Sequence, residues 1–277
     1  MCSCQFLILT LPIYIDIHSG PMVFAPDQAK KFLELADPIK EIVDAQAGKL
    51  AVFFAFMKPP GSPKAQPLAL IFYDGPAEEA KELVRPLYDL GPIAEMTQMV
   101  PYAQVTSPNP LIDGPPTHQR YATSNFQMFF PIDVDMWLTL VDDYDAFMTK
   151  YGNAVAPSKI VMEIRSYTKT SSVPVSAMAY ALRRPAILGA IEAQYDISVS
   201  DTVMREEVKV ISDKAREAIR RKGLYPEGTA TFNANISTGT EKITDMFGEN
   251  LPKLRELKTK YDPKFVFNKW YPIAPAA

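Results

Sequence analysis

Polar residues occur in pairs, two positions apart, within apolar segments of this sequence. The pairs lie in TSNFQMFF, VMEIRSY, ILGAIEAQYD and TATFNANIS, and they are Asn125 with Gln127, Glu163 with Arg165, Glu192 with Gln194, and Asn233 with Asn235. A spacing of two places both members of a pair on the same face of a β-strand. The solvated side of a sheet and a polar wall that binds a ligand both produce this pattern, so periodicity alone leaves both interpretations open.

The two glutamates are the candidate catalytic residues. Glu163 and Glu192 would act as a general acid or base if they are partly buried, because desolvation raises the pKa of a carboxyl group toward neutrality. The predicted ligand-binding residues are amides, a guanidinium and two tyrosines whose rings suit a flat or hydrophobic molecule. They are Tyr102, Asn125, Gln127, Arg165, Tyr180, Gln194, Asn233 and Asn235.

Common nucleotide, hydrolase and metal motifs are absent from the sequence. There is no GxG, hence no dinucleotide loop of the GxGxxG type and no phosphate loop, and there is no GxSxG, HExxH or CxxC. Cys2, Cys4, His18 and His118 make no zinc ligand set, and we interpret both histidines as ordinary strand or surface residues. We therefore predict no metal site.

Composition indicates a globular protein with a small-molecule partner. The chain has 277 residues, of which 47% are hydrophobic and 22% charged, and the net charge is -3 without a basic stripe for nucleic acid. The apolar segment Phe6–Ile17 is too short for a membrane span, and we interpret it as buried strand rather than a signal peptide. These features predict no membrane partner and favour a cytoplasmic location.

Hydrophobic periodicity, together with proline and glycine positions, predicts strands and helices along the whole chain. Strands are predicted at Ile13–Ser19 (ending in a Gly20-Pro21 turn), Leu50–Met57, Leu68–Tyr73, Ile93–Val100, Tyr121–Phe130, Lys159–Tyr167, Ala177–Leu182, Ile187–Tyr195 and Thr229–Ile236. Helices are predicted at Asp27–Ala47 (with a break before Pro38), Pro76–Leu90, Val134–Tyr151, Thr202–Lys222, Glu241–Phe247 and Leu251–Lys260. This order predicts an α+β fold, with one large, mainly antiparallel sheet covered by helices on one face.

The most specific segment is MFGENLPKLRELKTKYDPKFVFNKWYPIAPA, from Met246 to Ala276. Its elements are Gly248-Glu249-Asn250, Leu254-Arg255 with Leu257-Lys258, Tyr261-Asp262-Pro263, Val266-Phe267-Asn268 and Tyr271-Pro272-Ile273. This string resembles the C-terminal signature of the berberine-bridge-enzyme-like, FAD-linked oxidases of the vanillyl-alcohol-oxidase superfamily, and its ending resembles the fungal branch. Upstream, GPMVFAPDQAKKFLELAD and AMAYALRRP resemble parts of that family's substrate domain.

The resemblance implies two units and a flavin. Residues 1–240 would form a substrate-binding α+β domain whose sheet roofs the isoalloxazine ring, and residues 241–277 a berberine-like C-terminal helix and tail. It implies FAD as cofactor, with Asn268 at the position that lies near it. The family's Gly-rich FAD domain has no counterpart in this sequence, so the expected partners are a small-molecule substrate and an FAD domain in trans or a second copy of the chain.

Two positions depart from the family pattern. Thr231 stands where tyrosine is usual, and Tyr167-Thr168-Lys169 follows the Glu163 strand where a Gly-Gly pair is expected. Two hypotheses therefore stay open. One is the substrate domain of an FAD-linked oxidoreductase acting on a small hydrophobic or aromatic secondary metabolite. The other is a flavin-free isomerase, cyclase or binding domain derived from that family.

Overall fold

The computed structural model describes residues 16–105, 120–184, 186–225, 230–236, 239, 241–269 and 271–276. Four features of the sequence lie outside these residues: Cys2, Cys4, His118 and most of the apolar segment that ends at Ile17.

The described strands form one sheet in which every pair of neighbours is antiparallel. They are β1 (Asp16–Val23), β2 (Leu50–Met57), β3 (Gln66–Tyr73), β4 (Ala94–Glu95), β5 (Gln98–Pro101), β6 (Arg120–Met128), β7 (Lys159–Arg165) and β8 (Ile187–Tyr195). The strand order is β4–β1–β3–β2–β7–β8–β6, and β5 also pairs with β1. The predicted antiparallel sheet is thus confirmed, and β7, β8 and β6 lie side by side.

The described α-helices connect these strands or follow them. They are α1 (Ala29–Glu34), α2 (Ala36–Ala45), α3 (Ala77–Leu83), α4 (Arg85–Leu90), α5 (Val134–Tyr151), α6 (Thr168–Ser171), α7 (Asp201–Arg221), α8 (Ile243–Phe247) and α9 (Leu251–Tyr261). The predictions for α5 and strand β8 have the observed bounds, and α7 begins one residue earlier than predicted, with Ser200 as its N-cap.

The main core lies between the helix layer and one face of the sheet. On β7, the alternating residues Ile160, Met162 and Ile164 are fully buried in this core. Trp137 of α5 packs on the same face, with its ring 5.8 Å from that of Phe126 on β6. Because this face is sealed by apolar contacts, polar side chains at the intervening positions must point to the opposite face.

The predicted Gly20-Pro21 turn is wrong, because β1 continues through both residues. Gly20 has a φ of 150°, and a Cβ atom there would lie 2.3 Å from the carbonyl oxygen of Met96, so only glycine permits this approach. The Pro21 carbonyl still accepts a hydrogen bond from Met96 N at 3.0 Å. The chain therefore stays extended where the sequence pattern indicated a reversal.

Proline also divides two predicted helices. Pro38 lies in the first turn of α2 and has no N–H to donate to the carbonyl of Glu34, where α1 ends. In the same way Pro86 lies at the start of α4 and cannot donate to Glu82, next to the end of α3. The predicted break before Pro38 is confirmed, because α1 ends at Glu34 and α2 begins at Ala36. The predicted helix at 76–90 is divided into α3 and α4, and the predicted strand at 93–100 into β4 and β5.

Two predicted strands do not form in the described part of the chain. Residues 177–182 lie in a loop, in which the side-chain amide of Asn250 donates to the carbonyls of Val175 (2.9 Å) and Met178 (3.0 Å). At 230–236 the chain turns, because the backbone N–H of Asn235 donates to Oδ1 of Asn233 at 3.1 Å and a 3-10 helix follows. A side-chain donor (Asn250) at the first segment and a side-chain acceptor (Asn233) in the second bond to backbone groups that a strand would pair with a neighbouring strand.

Gly189 is required for the packing of β8 against β6. It lies opposite Phe126, and a Cβ atom there would lie 2.3 Å from a carbon of the Phe126 ring. Gly189→Ala should therefore lower the free energy of unfolding by about 1–3 kcal/mol, measured by urea denaturation. Adding Phe126→Leu should recover part of this loss, and equal stability of Gly189→Ala and the parent protein would contradict the packing argument.

Candidate functional site

Three of the four polar pairs share the sheet face opposite the main core. In the register of β7, β8 and β6, Lys159 faces Glu192, which faces Thr123, while Glu163 faces Leu188, which faces Gln127. The predicted orientation of Asn125 with Gln127, Glu163 with Arg165 and Glu192 with Gln194 is therefore confirmed. Because β7, β8 and β6 are neighbours in the sheet, these three pairs lie next to one another on that face.

Glu163 lies at the centre of a cluster of arginines and tyrosines. Its Oε2 atom is 3.8 Å from Nη1 of Arg165, and Nε and Nη2 of Arg165 both donate to the hydroxyl of Tyr167 at 3.3 Å. The Arg165 guanidinium also stands 5.1 Å from the centre of the Tyr167 ring, and that of Arg183 stands 5.1 Å from the Tyr180 ring. We call these five residues the Glu163 cluster.

Burial raises the pKa values of the carboxyl and the two tyrosine hydroxyls in this cluster. The Glu163 side chain is 17% exposed. Desolvation raises the pKa of its carboxyl above the ordinary 4.5. The positive charge of Arg165 lowers this pKa, and the negative charge of Glu192 raises it further. Burial also raises the pKa values of Tyr167 and Tyr180 above 10.0, although Arg165 lowers both. At neutral pH the two tyrosines are therefore hydrogen-bond donors, and Glu163 binds a proton more readily than an ordinary carboxylate.

Glu192 lies on the same face but in different surroundings. Its Oε2 atom is 3.1 Å from Nζ of Lys159, directly across β7 and β8. This ion pair neutralises Glu192 within the sheet, whereas the positive partner of Glu163 is more distant. Of the two predicted catalytic carboxylates, the geometry favours Glu163 as the proton acceptor.

Asn125 and Asn233 join the sheet to the segment that follows α7. The Asn125 amide donates to the carbonyls of Asn233 (3.2 Å) and Ile236, and its Oδ1 accepts from Asn233 N at 3.1 Å. Asn125 is fully buried, and the side chain of Ile236 packs on a small apolar cluster on this second face. Both asparagines thus hold a covering segment on the sheet.

Arg216 of α7 closes the outer edge of β6. Its Nε and Nη2 atoms donate to the carbonyl of Asn125 at 3.0 and 2.6 Å, and Nη2 also donates to Ser124 Oγ at 2.7 Å. Asp213 accepts from Nη1 at 2.5 Å, and the ring of Phe232 lies 4.1 Å from the guanidinium carbon. These contacts satisfy edge groups that would otherwise remain unpaired.

The remaining predicted binding residues have other positions. Gln127 is buried, and its carbonyl accepts from the Tyr225 hydroxyl at 2.6 Å. Gln194 is buried at the far end of β8, where its backbone pairs with the Ser158 hydroxyl. Asn235 is exposed. Their proposed roles in ligand binding stay predictions.

Tyr102 is not brought to the Glu163 cluster. It is 60% exposed and follows β5 at the other side of the sheet. Since four strand spacings separate β5 from β7, and each is about 4.8 Å, the two sites are about 19 Å apart. His18, by contrast, is buried in β1 beside Tyr73, where burial lowers its pKa.

Three residues of the site were not among the predicted ones: Lys159, Tyr167 and Arg183. Lys159 and Tyr167 continue the period-two pattern of Glu163 and Arg165, so the alternation of β7 pointed to them. Arg183 had no periodic signal, because it lies in a loop whose path depends on contacts with the C-terminal segment. Among the described residues no group of three or more His, Cys, Asp or Glu side chains is placed to hold a metal ion.

Residues 234–273 match a family model described as berberine and berberine like. The chain is also 37% identical over 262 residues to the FAD-linked oxidoreductase pgmH of Aspergillus terreus (strain NIH 2624 / FGSC A1156), covering 92% of this chain and 54% of that relative. The chain belongs to the berberine-bridge-enzyme-like family of FAD-linked oxidoreductases. It is also 29% identical over 216 residues to OXR2 of Pyricularia oryzae, covering 73% of this chain and 39% of OXR2.

Solved structures of the family share the fold. Physcomitrella patens BBE-like 1 superposes with a TM-score of 0.71 at 14% identity, covering 96% of this chain and 55% of that protein. A berberine bridge enzyme variant in complex with (S)-reticuline gives 0.70 at 15% identity, covering 97% of this chain and 56% of that protein. The predicted α+β substrate-domain fold is confirmed, and the chain spans about half the length of the relatives it matches.

The N-termini of the two longest described helices do not fit the diphosphate of a dinucleotide. A dinucleotide needs backbone N–H groups for its diphosphate, commonly at a helix N-terminus. In both helices a side chain already accepts from such an N–H group: Asp133 from Met136 N at 3.2 Å and Ser200 from Val203 N at 3.3 Å. FAD binding by this chain stays a prediction that rests on the family resemblance.

The family tail is exposed along its central part. Val266 is 67% and Phe267 is 80% exposed, and the Asn268 amide donates to the carbonyl of Phe265 at 3.1 Å. The contact of Asn268 with FAD stays a prediction.

Among the described residues, no helix is both long and apolar enough to span a bilayer.

Removing the buried guanidinium should test the closure of β6. Arg216→Met leaves the Asn125 carbonyl and the Ser124 hydroxyl without their partner, and should lower the free energy of unfolding by about 3 kcal/mol. The matched control is Arg220→Met on the same helix, which should change stability little because solvent screens its exposed pair with Glu217. Similar urea midpoints for the two variants would show that Arg216 does not hold the edge.

The pH dependence of stability should show the buried carboxyl of Glu163. The carboxyl of Glu163 has a higher pKa in the folded protein than the ordinary 4.5, so its protonated form stabilises the folded state at pH values below 4.5. This stabilisation is lost as the pH rises through the folded-state pKa. Glu163→Gln should therefore gain stability over the parent protein at neutral pH, and the gain should shrink below pH 4.5, measured by urea denaturation. Glu217→Gln should instead lose stability relative to the parent protein at neutral pH, because Arg221 and Arg220 lower the pKa of Glu217 and so stabilise its charged form in the folded state.

Proposed function

We propose that this chain forms the substrate-binding part of an FAD-linked oxidoreductase that acts on a small hydrophobic or aromatic secondary metabolite. The observation that carries the proposal is the Glu163 cluster, in which a carboxyl of raised pKa lies beside a guanidinium and two tyrosines. The cluster lies on the sheet face that the main helix layer leaves free. Membership of a family of FAD-linked oxidoreductases supports the redox chemistry.

Glu163 is the proposed general base. Its raised pKa brings the carboxylate closer to the proton affinity that transfer at neutral pH requires. Arg165, 3.8 Å away, keeps the carboxylate charged between turnovers without a short hydrogen bond that would block it. The carboxylate would take a proton from a hydroxyl group of the substrate.

Tyr167 and Tyr180 are the proposed positioning groups. The Tyr167 oxygen accepts from Arg165, so its own proton points away from the guanidinium and is available to a substrate oxygen. Tyr180 supplies a second hydroxyl and a ring near Glu163. FAD, when bound, supplies the acceptor for the hydride.

The flavin itself would be held by another domain or chain. We propose that this partner contacts the exposed tail residues Val266 and Phe267, which are large apolar side chains facing solvent. Protein purified from its native source, with the domain or chain that accompanies it, should retain flavin absorbance after desalting. A colourless preparation that isomerises or cyclises a metabolite without oxidation would contradict the proposal and favour the flavin-free alternative.

Glu163→Gln tests the assigned base in that flavin-containing preparation. The amide cannot accept the proton, so kcat should fall about 10²–10⁴-fold while flavin absorbance stays unchanged. Turnover is followed as anaerobic flavin reduction by a panel of aromatic alcohols and phenols, each tested with and without a carboxyl group. If Glu192→Gln abolishes reduction and Glu163→Gln does not, the assignment of the base is wrong.

A further inference from the structure

The guanidinium of Arg183 has five N–H groups and no hydrogen-bond acceptor among the described residues. Its one described side-chain interaction is the cation–π contact with Tyr180, at 5.1 Å from the ring centre. The Nε atom is buried and has no partner. A desolvated guanidinium donor without an acceptor costs free energy, so a position of this kind needs a functional explanation.

The surroundings of Arg183 contain an excess of positive charge. The Glu163 cluster holds two guanidinium groups and one carboxylate, and Arg165 is the guanidinium nearest to that carboxylate. The other ion pair on this face, Lys159 with Glu192, is neutral in sum. Arg183 therefore has no ion-pair partner among the described residues, and its guanidinium lies by Tyr180, which in turn lies near the proposed base.

Both arginines in the cluster lie against tyrosine rings. The N–H edge of Arg165 is used by the Tyr167 hydroxyl, whereas the N–H edge of Arg183 donates to no described residue. A planar group with two oxygens, or one oxygen that carries delocalised charge, matches such an edge. The arrangement provides an anion-binding edge beside aromatic surface.

We propose that Arg183 binds the anionic oxygen group of a planar, conjugated acid, and that substrates of this site are aromatic or enolic acids rather than neutral molecules. The inference rests on the proposed function for the location of the site. It adds a substrate class and a specificity residue. The anion would come from a carboxylate or from an acidic enol, and both offer the same delocalised negative oxygen.

The test compares ligands of the same size that differ in charge. Calorimetric titration at neutral pH of the protein in its native assembly would use naphthoate as the carboxylate, hydroxycoumarin in its enolate form, and naphthalenemethanol as the neutral control. At least one anion should bind tenfold or more tightly than naphthalenemethanol. The tighter of the two anions identifies which source the site prefers.

Variants of two adjacent arginines make the test specific. Arg183→Gln should weaken binding of the preferred anion about tenfold or more and leave naphthalenemethanol unchanged, since a hydrogen bond to a charged group is lost. The matched control is Arg184→Gln, because Arg184 stacks instead on Phe129, at 5.4 Å. Arg183→Lys keeps the charge without the planar edge and should give an intermediate affinity.

Three results would overturn the inference: no binding of either anion, equal affinity for the neutral control, or equal effects of Arg183→Gln and Arg184→Gln. None of these measurements needs flavin reduction. A protein that selects anions but carries no flavin would therefore contradict the proposed function alone. A flavin-reducing protein that prefers neutral ligands would contradict only this inference.

Discussion

Alternation along the strands is the constraint on which the site depends. On β7 the residues Ile160, Met162 and Ile164 are buried under helices, so Glu163 and Arg165 must lie on the other face. A slip of one residue in register would place two charged groups in an apolar core, at a cost of several kcal/mol each. The helix layer on one face of the sheet therefore determines that Glu163 and Arg165 lie on the opposite face.

The edge of the sheet shows that polar residues on this face have two different uses. Asn125 has the same residue type and spacing that favour ligand binding, yet its amide is satisfied by the backbone of Asn233 and Ile236. Its carbonyl is satisfied by Arg216. A buried amide with this set of partners stabilises a covering segment, and Ile236 of that segment packs on the apolar cluster of the same face.

Two glutamates on one face differ because their neighbours differ. Glu192 lies 3.1 Å from the amino group of Lys159 on the neighbouring strand. The guanidinium of Arg165 lies 3.8 Å from Glu163 and donates its hydrogen bonds to Tyr167 instead. Desolvation therefore raises the pKa of Glu163 against incomplete compensation. The two carboxyl groups therefore have different surroundings although they lie on the same face.

Much of the fold was readable from local pattern. The bounds of α5 and β8, the antiparallel pairing of β2 with β3, and the shared face of Glu163 with Arg165 all follow from periodicity and turn residues. Two of the errors fall where an asparagine side chain bonds to the backbone in or next to a predicted strand. The predicted strands at 177–182 and 229–236 are replaced in the described residues by loops that Asn250 and Asn233 hold.

The sequence by itself determined the fold class, the family and the face on which the polar pairs lie, because alternation and the C-terminal signature are properties of neighbouring residues. Only the tertiary structure decided that Tyr167 and Arg183 join Glu163, that Asn125 is structural, and that Tyr102 lies at the far side of the sheet. The physical reason is that hydrogen bonding and charge act across strands and loops. Which groups meet depends on strand order, and no local spacing encodes that order.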